Sequence, residues 1–173
     1  MSVGTQIWRE AIWEQLGASL AMLERAIVAC PDAVWTAKAG SREFWHMAYH
    51  TLFFVDVNMS GTTVGFAPPS PFTLSELDPS DVLPDRVYTK AELLEYGRHC
   101  REKSRTTILS LTDLGAERIV EFDWLRMKFG ELMIHNMRHV QHHTAQLNLV
   151  LRQSGVKPPN WVFRVSPKVA ADG

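Results

Sequence analysis

Four of the seven histidines of this chain lie within nine residues, from His135 to His143, in a segment with the apolar spacing of one long helix. Apolar residues recur there at intervals of three and four from about residue 123 to residue 153, which predicts an amphipathic helix with one buried face. This predicted helix constrains the chain more than any other segment does, because it fixes where four imidazoles lie relative to the core.

His139 and His143 are the histidines of this cluster that are expected to face the core. At about 100° per residue, both fall inside or at the edge of the apolar sector, whereas the other two fall outside it. Because they are four residues apart, their imidazoles are neighbours on one helix face and can point at one metal ion. Asn136 and Gln146 lie on the same side and are placed to hold an imidazole by its other nitrogen.

A second pair of histidines, His46 and His50, lies on another predicted helix. The segment 44–57 is apolar nearly all round, so the pattern leaves both histidines as candidates for a third ligand. His46 aligns with Phe53 and Val57, which are expected to face the core, and is therefore weighted above His50. Burying several unpaired imidazoles would be costly, so a transition-metal site is predicted ahead of ordinary core histidines.

Three further segments have the apolar spacing of helices, and together with the first they predict an all-α four-helix bundle. Their approximate bounds are residues 6–28, 41–59 and 89–111. Ser41 is placed to cap the second helix, and Thr89 with Glu92 forms a capping box at the start of the third. A short extended connection over about residues 116–122 is expected before the last helix.

The stretch from about residue 61 to residue 88 contains five prolines, which exclude a continuous helix. It is predicted to be a long crossover loop between helices 2 and 3, with one short turn near residues 74–77. Loops of this length tend to be functional, so it is expected either to cover one end of the bundle or to be a packed surface crossover with no role in the chemistry. Gly155 suits the position after the last helix, and a non-helical tail is predicted over about residues 156–173. The chain, residues 1–173, is expected to be a single domain.

Charge and hydropathy exclude several classes of partner. The net charge of −1 argues against a nucleic acid or an anionic membrane as a partner. No apolar run approaches the length of a membrane span, and Trp8-Arg9-Glu10 interrupts any secretory signal, so a cytoplasmic location is expected. Cys30 and Cys100 have no metal-type spacing and are expected to be reduced thiols.

In this histidine pattern the sequence resembles the DinB-like (damage-inducible) family. The family pattern is a histidine on the second helix, then His-x3-His-x2-Gln on the last long helix, then Leu-Arg-Gln-x-Gly. The matching residues here are His46, His139, His143, Gln146 and Leu151-Arg152-Gln153-Ser154-Gly155. The chain departs from the family at Thr144-Ala145, where many members have Arg-Gly, and in its extra histidines His50, His135 and His142.

The resemblance implies a DinB-like four-helix bundle, often a homodimer, that binds a divalent ion through three histidines. The matching ligands would be His46, His139 and His143, and the ion would be zinc or nickel. Better understood relatives are bacillithiol S-transferases and a mycothiol-dependent maleylpyruvate isomerase. A small-molecule substrate and a low-molecular-weight thiol as co-substrate are therefore implied.

Three neutral imidazoles leave an open coordination position for a water or a thiol. We therefore expect a metal-dependent enzyme of the thiol S-transferase or hydrolase type. The alternative is a non-catalytic metal-binding bundle with a structural or stress-sensing role. The sequence assigns no catalytic residue, since the candidates for a general base are weak: Asp56, Glu131, His50 and His142.

Overall fold

The computed structural model describes residues 3–80 and 82–166. Five helices are present in this part of the chain: α1 Val3–Ala29, α2 Phe44–Ser60, α3 Lys90–Ser110, α4 Asp113–Glu117 and α5 Phe129–Gln153. Two antiparallel hairpins accompany them: β1 Lys38–Ala39 with β2 Arg42–Glu43, and β3 Ile119–Phe122 with β4 Leu125–Lys128. Single 3-10 turns lie at Asp32–Val34 and Ser75–Leu77.

The four long helices form the predicted all-α bundle. Both α1 and α2 pack against α3 and against α5, so each helix buries its apolar face on two neighbours. Nearly every residue of α2 is buried, because α3, α5 and the crossover loop cover it from different sides. This burial explains why the sequence of α2 is apolar on nearly all faces.

The predicted crossover loop between α2 and α3 is confirmed, and it packs closely on the bundle. Phe72 is buried and stacks on Tyr96 with ring centroids 4.3 Å apart. The Tyr49 hydroxyl of α2 donates a hydrogen bond to the Thr73 carbonyl at 2.7 Å. These contacts fix the 3-10 turn at Ser75–Leu77, where a short turn was expected, against the middle of α2.

The start of α3 and the end of α5 follow the sequence signals. Thr89 and Glu92 form the predicted capping box, in which the Glu92 carboxylate accepts a hydrogen bond from the Thr89 backbone N–H at 2.8 Å. Gly155 follows α5 with φ of 76°, a conformation that favours glycine.

Two predicted helix starts were wrong. The second helix begins at Phe44 with Glu43 as N-cap, while Ser41 lies in the turn of the β1–β2 hairpin. The last helix begins at Phe129, about six residues later than expected. The short extended connection predicted there is one strand of the β3–β4 hairpin, whose alternating burial follows the two-residue period of a strand.

The tail after α5 is non-helical through residue 166, and the remainder of the predicted tail, residues 167–173, lies outside the described part. The tail runs beside α1, where the Val165 N–H donates to the Glu14 carbonyl at 3.2 Å. Cys30 and Cys100 are both buried free thiols. Within the described ranges, no helix combines the length and the apolar character needed to cross a bilayer.

Candidate metal centre

Three imidazoles converge between α2 and α5. His50 projects from α2, and His139 and His143 project from successive turns of α5. One nitrogen from each ring can be chosen so that all three lie within 4.8 Å of one another. The pairing of His139 and His143 on one inward face follows the helix-wheel prediction.

His46 lies one turn before His50 on α2 and does not join this group. Its Nε2 atom is hydrogen-bonded to Glu76 Oε1 at 2.7 Å. Of the three histidines expected to be ligands, the structure therefore brings together His139 and His143, and His50 occupies the place expected for His46. The physical reason is that α2 is buried on all sides, so its apolar pattern does not define which turn faces α5.

Glu76 connects the two histidines of α2. Its second carboxylate oxygen accepts a hydrogen bond from His50 Nδ1 at 2.5 Å. Burial would raise the pKa of Glu76, but the hydrogen bonds from His46 and His50 outweigh it and lower that pKa to about 2. Since an ionised carboxylate only accepts hydrogen bonds, His50 carries its proton on Nδ1 and leaves Nε2 available.

His143 is also oriented by a hydrogen-bond acceptor at its Nδ1 atom. Its Nδ1 atom donates to Gln146 Oε1 at 2.7 Å, and an amide oxygen is also only an acceptor. Gln146 therefore performs the orienting role predicted for it, and Nε2 of His143 is left available. Asn136, the other predicted orienting group, instead accepts a hydrogen bond from the buried side chain of Asn58 at 3.1 Å.

One ring nitrogen of His139 is buried. Its Nδ1 atom has no hydrogen-bond partner in the described part of the chain. Burial, followed by the charges of His143 and His50, lowers the pKa of His139 to about 2. Burial also lowers the pKa of His143 to about 4. Both rings are therefore neutral near pH 7, which is the form that binds metal.

These donors fit a borderline metal ion. Three neutral imidazoles from two helices, two of them oriented by an acceptor on the far nitrogen, are the ligand type that zinc and nickel accept. Because the three nitrogens lie within 4.8 Å of one another, one ion could engage all of them.

The side chains considered as general bases lie apart from one another. Asp56 is buried and accepts hydrogen bonds from Lys103 at 2.5 Å and from Tyr96 at 3.0 Å. Glu131 is exposed in the first turn of α5. His142 is also exposed, with its ring centroid 5.1 Å from that of His143.

Glu76 is the site residue that sequence reasoning missed. It lies 26 residues after its partner His50, in the proline-containing crossover loop. A signal was present, because Glu76 is the only charged residue between Gly61 and Leu77. A lone carboxylate in an uncharged loop that packs on a histidine-bearing helix marks a group with a buried partner.

A cavity of about 660 Å³ adjoins the histidines. His46, His50 and Glu76 line it on one side, together with Phe54 and Trp45. This volume is in the range of sites that hold small molecules. The histidine group is therefore adjacent to a space that a substrate could fill.

The sequence model of the DinB superfamily matches residues 15–147 of the chain. The fold is similar to the crystal structure of a DinB-like protein, YjoA, from Bacillus subtilis, with a TM-score of 0.61 at 15% identity. That alignment covers 87% of this chain and 97% of the other. No curated protein matches the chain.

Proposed function

The chain belongs to the DinB superfamily, and from that premise we propose that it binds one divalent metal ion through His50, His139 and His143. One observation carries the proposal: three imidazole nitrogens from facing helices lie within 4.8 Å of one another. Zinc or nickel would be the preferred ion at such a site, and three protein ligands leave at least one position for water or substrate.

Residues around the ligands support this assignment. Glu76 and Gln146 fix the orientations of His50 and His143 by accepting from Nδ1, which directs Nε2 of each ring away from the acceptor. Such carboxylate–histidine and amide–histidine pairs also make the ligand more basic. His46 shares Glu76 with His50, so in this proposal it supports the site without contacting the ion.

The activity we propose is that of a metal-dependent enzyme of the thiol S-transferase or hydrolase type. When bound, the ion would lower the pKa of a coordinated thiol or water, which supplies a nucleophile near neutral pH. The chain's own contribution is to hold three neutral ligands and to enclose a small-molecule substrate in the adjoining cavity. A low-molecular-weight thiol would be the co-substrate.

A homodimer, as the resemblance to the family implies, is also proposed. Sedimentation equilibrium of the full-length chain would measure the assembly. A mass that fits one chain across the concentration range would exclude this part of the proposal without affecting the metal site.

The alternative is a non-catalytic ion with a structural or stress-sensing role. It is favoured by the fact that the three histidines come from α2 and α5, so an ion would cross-link two helices that already pack together. A structural ion has a closed shell of four protein ligands, whereas a catalytic ion keeps a position open. The cavity beside His50 favours the catalytic interpretation.

The test is metal content of protein purified without a histidine tag. We expect about one equivalent of zinc or nickel in the wild type, and a loss of affinity beyond roughly 100-fold in His50→Ala, His139→Ala or His143→Ala, since even groups that only orient a ligand are worth 10–100-fold. His135→Ala is a matched control on α5.

His46→Ala decides between the two histidines of α2. Retention of the ion in His46→Ala and its loss in His50→Ala would support the ligand set proposed here. The opposite result would make His46 the third ligand, as the sequence pattern first indicated. A wild-type protein that neither carries nor takes up zinc or nickel would refute metal binding altogether.

A further inference from the structure

A phenylalanine of α2, Phe54, lies where the cavity meets the three histidines. It is half-buried, it follows His50 by one helical turn, and both side chains line the cavity. A ligand that enters from the cavity therefore approaches the proposed ion past His50 and Phe54. The proposed metal site uses His50 as a ligand, whereas the role of Phe54 has not been assigned.

The ring of Phe54 packs directly on two of the proposed ligands. Its centroid lies 4.8 Å from that of His50 and 5.7 Å from that of His139. The two imidazole centroids are themselves 5.4 Å apart, so the three rings form a closed triangle of contacts. A group that coordinates the ion beside these two ligands therefore has the phenyl ring as its immediate neighbour.

Phe54 is held in this position by further aromatic side chains. Trp124, in the turn of the β3–β4 hairpin, meets it edge-on with centroids 5.5 Å apart. Trp124 is itself stacked on the buried ring of Phe122 at 5.0 Å. Phe53 makes another edge-on contact with Phe54 at 5.6 Å. Because side chains packed at this density have little room to turn aside, Phe54 presents a fixed surface to the site.

A fixed phenyl ring beside the ion limits the bulk of the reacting group. Extra methyl groups forced against a well-packed side chain are destabilising, because its neighbours must leave their preferred rotamers. An unbranched CH₂ group, in contrast, makes favourable apolar contact with an aromatic ring. The limit applies only near the reacting atom, since the remainder of the ligand lies in a cavity of about 660 Å³.

We propose that Phe54 sets the substrate specificity of the site by limiting the bulk of the group that reaches the ion. Thiols whose sulfur is carried by an unbranched CH₂ group fit beside the ring, and thiols branched at that carbon do not. This inference rests on the proposed function, because the ion provides the position that the sulfur binds. Trp124 acts indirectly, as the side chain that keeps Phe54 in place.

The test uses cobalt-loaded protein and three isomers: 1-butanethiol, 2-butanethiol and 2-methyl-2-propanethiol. They contain the same atoms and differ in branching at the carbon that carries the sulfur. Binding of the thiolate to cobalt is followed by its charge-transfer absorption. We expect the primary isomer to bind roughly 5–100-fold more tightly than the tertiary one, the range that overpacking produces, with the secondary isomer between them.

Phe54→Ala should retain cobalt and lose most of the preference for the primary isomer, and Phe54→Leu should lose part of it. Trp124→Ala, which removes the support of Phe54, should also weaken the preference. The matched control is Phe66→Ala, because Phe66 is another half-buried phenylalanine that packs edge-on against Phe53, at 5.6 Å. It should discriminate like the wild type. Comparing variants removes the intrinsic difference between the isomers as ligands of cobalt.

The outcomes separate this inference from the proposed function. If the wild type fails to bind cobalt, the proposed function is refuted and the inference fails with it. If cobalt binds but the isomers bind equally, or Phe54→Ala keeps the full preference, the inference alone is overturned. It is also overturned if Phe54→Ala and Phe54→Leu both lose cobalt, because Phe54 would then hold the ligands. An unchanged preference in Trp124→Ala would overturn the part assigned to Trp124.

Discussion

At the scale of single residues, one carboxylate orients two histidines of the candidate site. Glu76 accepts hydrogen bonds from His46 and His50, both of which are nearly buried. Both histidines line the cavity, but only His50 also lies within the group formed with His139 and His143 of α5. The crossover loop acts on the proposed metal site through this one side chain.

Replacing Glu76 by glutamine tests that role. Glu76→Gln keeps the size of the side chain but loses its charge and one of its two acceptor oxygens, so His50 is held less firmly and becomes less basic. We expect zinc affinity to fall by about 10–100-fold, measured by competition with a chelator of known affinity. Glu95→Gln, an exposed change on α3, is the control; equal affinities in the two variants would contradict the role given to Glu76.

The pKa shifts of His139 and His143 predict how the metal-free protein responds to acid. Their folded-state pKa values of about 2 and about 4 lie below the ordinary value of 6.5, so the unfolded chain binds more protons as pH falls. The contribution of these two histidines to the free energy of unfolding is therefore fully present above about pH 6.5, and it is lost as the pH falls below that value. The contribution of Glu76, whose pKa is lowered to about 2, begins to be lost only as the pH falls towards the ordinary value of 4.5.

Between pH 7 and pH 5 we expect the free energy of unfolding of the metal-free protein to fall by about 2 kcal/mol through His139 alone. His143 adds a further loss, because its folded-state pKa of about 4 also lies below this pH range. Urea unfolding at the two pH values measures the change. His139→Gln, which cannot be protonated, should remove the share of the loss that His139 causes, and a pH dependence that persists unchanged in this variant would show that other groups cause it.

At the scale of elements, α2 and α3 are joined by a buried charge. Asp56 of α2 is 1% exposed, and its carboxylate accepts hydrogen bonds from Lys103 and Tyr96 of α3. Lys103 Nζ also donates to the Ser60 hydroxyl at 2.7 Å. The hydrogen bonds of the Asp56 carboxylate are made within the protein. Asp56 is therefore better explained as a residue that holds α2 and α3 together than as a general base.

Lys103→Met would leave the Asp56 carboxylate without its cationic partner. We expect the free energy of unfolding to decrease by about 2 kcal/mol, less than for a fully buried pair because Lys103 is partly exposed. The matched control is Arg98→Met on the same helix, whose ion pair with Glu95 is exposed and should be worth little. Similar losses in both variants, measured by urea unfolding, would show that Asp56 does not depend on Lys103.

At the scale of the whole molecule, an ion held between α2 and α5 would stabilise the bundle, because it binds the folded chain and not the dispersed ligands of the unfolded one. At a free zinc concentration 100 times the dissociation constant, the stabilisation is about 2.7 kcal/mol. For a chain of 173 residues this corresponds to a rise in Tm of about 5–10 °C. Differential scanning calorimetry with and without zinc measures it.

The double variant His139→Ala/His143→Ala controls for non-specific effects of zinc and should show no comparable rise. An equal rise in this variant would mean that zinc stabilises the protein elsewhere. No rise in the wild type, together with the absence of bound metal, would leave the three histidines as a cluster without a ligand.

The sequence by itself determined the number of long helices, the crossover loop, the capping box at Thr89 and the inward pair His139 and His143. These features depend on local periodicity, on proline and on capping chemistry, all of which act over a few residues. The helix wheel of α5 was informative because that helix has one polar face and one apolar face. The family pattern in the same segment pointed in the same direction.

Only the tertiary structure decided which histidine of α2 faces α5 and that Glu76 lies beside it. A helix buried on every side has no polar face to define its rotation, so the choice between His46 and His50 depended on how α2 packs. The contact between Glu76 and His50 depends on where a long loop returns to the bundle, which no local pattern encodes. The β3–β4 hairpin was hidden for a related reason, since a short apolar run fits a strand as well as a helix until its partner strand is placed.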